Sequence, residues 1–247
     1  MKLIPYILIV ILAFSCSSND IETLIINNTN LLSADIENRA VELNSVIACA
    51  ASDANNADVV EVYFYPEQGA SNFKLYETNT ANVDANDFSN YRFVDLESLP
   101  FFNGTLLRFV RPFATEQWIV VTYELDGDIK ISTPIRTKNV NQPTERSSNI
   151  TINQEISGMP IFVWEQNTSF DNAIFFQVLS TIDDGLLSGT YTLDNQFQYY
   201  NTSNVVLNIT NGTPPSLTQD IPYKFTVMDV SSDNWVNAIF ITEFIVQ

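Results

Sequence analysis

The chain has 247 residues, 11 Lys and Arg against 29 Asp and Glu, and no histidine, for a formal charge of −18. A surface of that sign repels nucleic-acid phosphates and anionic lipid headgroups, which argues against a DNA or RNA partner and against membrane attachment through a basic patch. Without histidine, Ser-His-Asp and Cys-His nucleophilic systems and the histidine-bearing zinc and iron sites are excluded.

Met1-Lys2 gives a minimal cationic start, residues 3–14 are almost wholly apolar, and Ala13-Phe14-Ser15 places a small residue directly before Cys16. The apolar run is shorter than the roughly 20 residues that span a bilayer. The stretch resembles a bacterial lipoprotein signal peptide, and the alternatives are an ordinary secretory peptide that happens to contain a cysteine and an uncleaved transmembrane anchor, which the short apolar run disfavours. The resemblance implies removal of residues 1–15 and acylation of Cys16 with palmitate-type chains. Each methylene buried in the membrane then contributes about 0.8 kcal/mol to anchoring. Ser17-Ser18-Asn19-Asp20 is similar to the start of exported Bacteroidetes lipoproteins, which implies the bacterial cell envelope, an outer-membrane location and surface exposure. With Cys16 acylated, Cys49 has no partner for an internal disulfide. In Val46-Ile47-Ala48-Cys49-Ala50 it reads as a small packed hydrophobe, since the chain has no histidine to activate it.

Residues 16–37 are polar and Asn-rich and read as a lipidated tether, with 31–36 open to either a short strand or a turn of helix. From residue 43 the period becomes that of strands. Val60, Val62 and Phe64 alternate with Glu61, Tyr63 and Tyr65, the pattern expected where one sheet face is buried. Further strands are predicted over 73–76, 91–94 and 106–110, the last following the Asn103-Gly104 turn signal. Residues 118–125 form the clearest strand of this half, and Asp126-Gly127 turns it into 129–132 as a hairpin. Residues 139–149 lack aromatics, contain Asn141-Gln142-Pro143-Thr144 and read as a linker. It separates a first domain, 38–138, from a second, 150–247. In the second, strands are predicted over 160–165, 173–179, 189–193, 205–209, 223–227 and 238–246, divided by Asp-, Asn-, Gly- and Pro-rich turns.

Short strands at this spacing, without long helical periodicity, give an all-β chain with two tandem sandwiches. Residues 118–125 followed by Asp126-Gly127, and residues 223–227 followed by 239–246, resemble the last strands of immunoglobulin-like and fibronectin type III domains. The resemblance implies an extracellular spacer, adhesion or ligand-binding role, and fold alone names no ligand.

Trp235, in the loop-like Ser231-Ser232-Asp233-Asn234-Trp235, is a candidate ligand contact together with Asn234 and Asp233. Tyr199 and Tyr200 form a second candidate, since adjacent residues of an extended strand point opposite ways and one ring would be displayed. Such rings, with amides and carboxylates beside them, suit carbohydrate; buried rings would instead suit a spacer. Asp53 with Asp58, Asp84 with Asp87, and Asp183 with Asp184 are loop carboxylates, and none reproduces the twelve-residue calcium loop. Glu61, Glu116, Glu124 and Glu165 lie beside strands without a reason to pair any two as acid and base. The reading is therefore a non-catalytic envelope lipoprotein without a cofactor or a metal site. It serves as a surface binding, adhesion or structural spacer module; the alternative is a carbohydrate-binding accessory of a polysaccharide uptake system. Its partners would be the membrane, through the lipid, and an envelope protein or a glycan, with no nucleic acid.

Overall fold

The computed structural model describes residues 30–247. The leader, Cys16 and the tether up to residue 29 lie outside the described residues. Ten strands form the first half: β1 (Val41–Val46), β2 (Ala48–Ser52), β3 (Val59–Phe64), β4 (Ser71–Glu77), β5 (Arg92–Val94), β6 (Leu99–Phe101), β7 (Leu106–Pro112), β8 (Trp118–Leu125), β9 (Asp128–Ser132) and β10 (Ile135–Arg136). They make one sheet in the order β2-β3-β7-β6 and a second in the order β1-β9-β8-β4-β5, with β10 also on β8. Counted along the chain, this is the A-B-E-D sheet and the G-F-C sheet of an immunoglobulin-type sandwich. Asp126 and Gly127, both at positive φ (53° and 93°), join β8 to β9 as the Asp-Gly signal predicts.

The second half contains β11 (Glu145–Ser147), β12 (Ile150–Asn153), β13 (Ile161–Trp164), β14 (Ile174–Thr181), β15 (Leu186–Thr192), β16 (Gln196–Gln198), β17 (Val205–Asn208), β18 (Pro222–Val230) and β19 (Val236–Ile245). Its sheets run β12-β13-β16 and β11-β19-β18-β14-β15-β17. Both halves open with a strand that lies parallel to the second strand of their late hairpin, β1 on β9 and β11 on β19. Each then crosses to the other sheet and pairs antiparallel, β2 with β3 and β12 with β13. The halves thus repeat a topology that their sequences do not visibly repeat.

Each sandwich has its own core. Val60, Val62 and Phe64 of β3 meet Leu75, Ile119, Val121 and Tyr123 in the first, and Phe162, Phe175, Phe225 and Phe244 meet in the second. A third apolar cluster lies between the sandwiches. Ala51, Tyr63, Phe102 and Leu106 of the first half pack there with Phe176, Val178, Ile209, Met228, Val230, Val236 and Ile239 of the second. These residues occupy the outer faces of the β2-β3-β7-β6 sheet and of the β19-β18-β14-β15 sheet. The four sheets consequently stack, and the alternation in β3 does not separate a buried face from a wet one. Its second face, Glu61 and Tyr63, is 7% and 5% exposed because the other sandwich covers it.

Residues 139–149, read as a linker, are held by both halves. The Asn139 amide donates to the Phe113 carbonyl, Thr144 exchanges hydrogen bonds with Ser52 and donates to the Val236 carbonyl, and Glu145–Ser147 is β11 itself. At the N-terminal side, Leu32–Asp35 is one helical turn, which resolves the open choice there. Leu32 packs on Tyr76, Tyr91, Val120, Ile129 and Ile131, and Asp35 accepts from Lys74 and Tyr76. The end of the tether thereby covers the remaining outer face of the first sandwich.

Trp235, at the β18–β19 corner of the second half, is fully buried in the core of the first. Truncation of a buried Trp costs about 3–5 kcal/mol. In equilibrium urea unfolding, Trp235→Ala is expected to lose that amount, and a chain cut after residue 141, which removes the indole, is expected to lose the cooperative transition of the first sandwich. A cut chain that unfolds like the intact one would refute this dependence.

Candidate functional site

The loop carrying Asp233, Asn234 and Trp235 is a joint between the sandwiches. The Asp233 carboxylate pairs with Lys138 at 2.8 Å, and the Asp233 carbonyl accepts from the Arg136 amide at 3.0 Å. The Asn234 carbonyl accepts from the Ala50 amide at 3.0 Å, and the Trp235 indole donates to the Gln142 carbonyl at 2.9 Å. The expectation that Trp235 offers a ring to a ligand is corrected: a corner loop lies at the end of its own sandwich, where the neighbouring core takes up the indole. Tyr199 is corrected likewise. It is fully buried in the second core, with its hydroxyl on the Pro215 carbonyl at 2.7 Å. Tyr200 is not in an extended strand; its φ of 68° turns it back so that its half-buried ring packs edge-on against Tyr199. Trp164 lies in the second core, and Trp118 is half-buried with its indole on the Ala81 carbonyl.

The loop carboxylates fold their own loops. Asp53 accepts from the amides of Asn55 and Asn56, Asp84 from that of Asn86, and Asp87 from that of Ser89. Among the described residues no group of three or more such side chains converges as a metal site. Three of the four strand-side carboxylates are tied to separate cations, Glu61 to Arg108, Glu116 to Arg136 and Glu124 to Arg39. Cys49 sits half-buried beside Tyr63 and Tyr191, and desolvation pushes its thiol up to about 12, which makes it a poor nucleophile.

Sequence reasoning missed the feature that the stacking creates, a cleft of about 280 Å³ between the sandwiches. Its floor is apolar, from Phe101, Phe102, Met228, Ile239 and Ile241, and its walls carry Arg108, Arg146 and Lys224 with Glu61 and Asp184. Glu61 accepts from Arg108 and, at 2.5 Å, from the Tyr63 hydroxyl; Lys224 pairs with Asp184. Burial, reinforced by Glu61, holds the Tyr63 hydroxyl well above the usual phenol range, so it remains a donor. The Arg108 guanidinium lies over the Phe101 ring at 5.6 Å. The cleft is thus a concave apolar surface rimmed by fixed charge, the form taken by small-ligand sites. Its residues come from β3, β6 and the turn after it, β7, β11, β18, β19 and the 183–185 turn, so only the docking of the halves brings them together. The one signal in the sequence was the apolar run Ile174-Phe175-Phe176, which has no polar face to give to solvent.

No family model and no curated protein matches the sequence. Among solved structures, the chain is similar to the FN1-FN3 domains of chicken CNTN1, at 9% identity over 85% of this chain and 68% of that one, with a TM-score of 0.31. It is also similar to the chicken interferon gamma receptor alpha chain, at 8% identity over 81% of this chain and 96% of that one, with a TM-score of 0.23. At such overlap the likeness carries no weight; the strand order defines the two sandwiches.

Beside the joint, Asp229 is 1% exposed, and its Oδ1 accepts from Asn172 at 2.7 Å and from Asn237 at 3.2 Å. Desolvation raises its pKa against the lowering effect of those two amides. A raised native pKa means that Asp229 contributes stability below its unfolded value of about 3.9 and loses it as pH rises through the native value. Asp229→Asn is therefore expected to be more favourable relative to the native chain at pH 7 than at pH 4, measured by urea unfolding at both. An equal or reversed difference would show that the carboxylate bears no such penalty.

Proposed function

We propose that this chain is a non-catalytic binding or structural module of a bacterial cell envelope, held at the membrane by acyl chains on Cys16. The observation that carries the reading is the apolar cluster between the sandwiches, together with the Trp235 indole inserted across it. These contacts make one rigid block of two domains. A block suits a component that must hold a surface at a fixed position, as a spacer, adhesin or subunit of a surface assembly does. Beads on a flexible linker would suit reach instead. The acidic surface leaves attachment to the lipid, and the segment that packs at residues 31–36 fixes the point where the tether leaves the block. The carbohydrate alternative loses its strongest support, since neither Trp235 nor Tyr199 presents a face.

Metabolic labelling with an alkyne palmitate analogue, followed by membrane fractionation, tests the anchor. The native chain is expected to be labelled and sedimented with membranes, and Cys16→Ala to be unlabelled and released. A Cys16→Ala chain that stays unlabelled but sediments fully would overturn anchoring at this residue. Specific retention of the native chain on a glycan array would replace the spacer and adhesion reading with the carbohydrate one.

A further inference from the structure

Ten lysines and arginines fall within the described residues, and eight of them have a carboxylate within 4.0 Å. The two without one among the described residues are Arg92 and Arg146. Arg92 is an exposed residue of the short edge strand β5. Arg146 lines the cleft between the sandwiches, and its Nη2 donates to the Ser52 carbonyl at 2.6 Å. That bond orients the guanidinium; the Asp53 carboxylate feels its charge from beyond 4.0 Å, which leaves N–H donors of the fixed fork, five in all, to match a carboxylate.

We propose that the cleft binds a small apolar monocarboxylate, with its head on Arg146 and its hydrocarbon body on the floor formed by Phe101, Phe102, Met228, Ile239 and Ile241. Three of the chain's few cations line it, against two carboxylates that are already paired, so the lining itself carries a net positive charge on a strongly acidic protein. The acidic surroundings repel polyanions such as nucleotides, and the one lining cation without a carboxylate within 4.0 Å fits one negative charge. The apolar floor is more than the head requires. Ile241 is 44% exposed there, an area that an apolar body would remove from water. The cleft's volume admits a body of one or two rings or a medium aliphatic chain.

This inference stands apart from the lipid anchor, and its test uses the chain from residue 17, which keeps every described residue. Isothermal titration with 2-naphthoate, decanoate and phenylacetate is expected to give saturable one-site binding for at least one of them. The matching primary amide is expected to bind at least tenfold more weakly. Arg146→Gln, an exposed strand-edge substitution, is expected to weaken the carboxylate at least tenfold, whereas Arg92→Gln leaves it unchanged. Absence of binding by all three acids up to millimolar concentration would overturn the proposal, as would equal affinity in the two variants. Either failure leaves the outcome of the palmitate labelling untouched, so the two readings are judged separately.

Discussion

The insertion of Trp235 across the joint is the constraint on which the rest of the structure depends. Its indole belongs by sequence to the second sandwich and by packing to the first, between strands that form no shared sheet beyond the single Ala50–Trp235 bridge. Separating the halves would bring a large aromatic side chain into water and open a hole of the same size in the first core. Both terms act against separation, and the second adds a cavity cost to the transfer cost. The apolar cluster beyond the joint then follows: once the corner is fixed, the outer faces of two sheets lie against each other and must be dry. Rigidity in this protein is therefore a consequence of packing across the domain boundary, and it needs no disulfide.

A dry outer face sets conditions on the polar residues that β3 and β7 bring to it. Glu61 is nearly buried, and a lone carboxylate there would lose its hydration without return. Arg108 from the next strand and the Tyr63 hydroxyl both point at it, so its charge is matched and its oxygens are used. Such a pair is weak support for stability in itself, because desolvation offsets much of the attraction. Its effect lies in position. It keeps a guanidinium over the Phe101 ring and forms one wall of the cleft.

The strands were legible in the sequence and the docking was not. Period-two alternation located residues 118–125 at their observed bounds, and Asp126-Gly127 announced its hairpin through the need for two positive φ angles. Short pieces such as β6, β10 and β11 escaped, since strands of two or three residues contain too few alternations to register. Alternation also misassigns a face when the polar partner is buried later, as with Glu61. The linker reading over 139–149 rested on amide and hydroxyl residues, which suit solvent in an isolated chain. Here Asn139, Gln142 and Thr144 spend those same groups on the two halves. Trp235 was misread for a related reason: Ser-Ser-Asp-Asn marks a turn, and a turn at the end of one sandwich is where a second sandwich can be met.

Charge distribution completes the account. A chain with so few cations could spread them to soften its acidic surface, but most are used to fix segments. Arg39 pairs with Glu124 and Lys74 with Asp35, which hold the incoming chain on β4 and β8; Lys138 pairs with Asp233 at the joint. Ion pairs at the surface contribute about 0–1 kcal/mol each, and these partly buried ones also carry a desolvation cost, so their value is in choosing one arrangement among several rather than in total stability. Against that economy Arg146, which gives its hydrogen bond to a neutral carbonyl and only steadies Asp53 from a distance, keeps most of its fork for something outside the chain. The same acidic surface that leaves attachment to a lipid also makes a locally positive concavity selective, because every anion that reaches it must first cross a repelling field. A small monoanion with an apolar body loses least in that crossing and gains most on arrival.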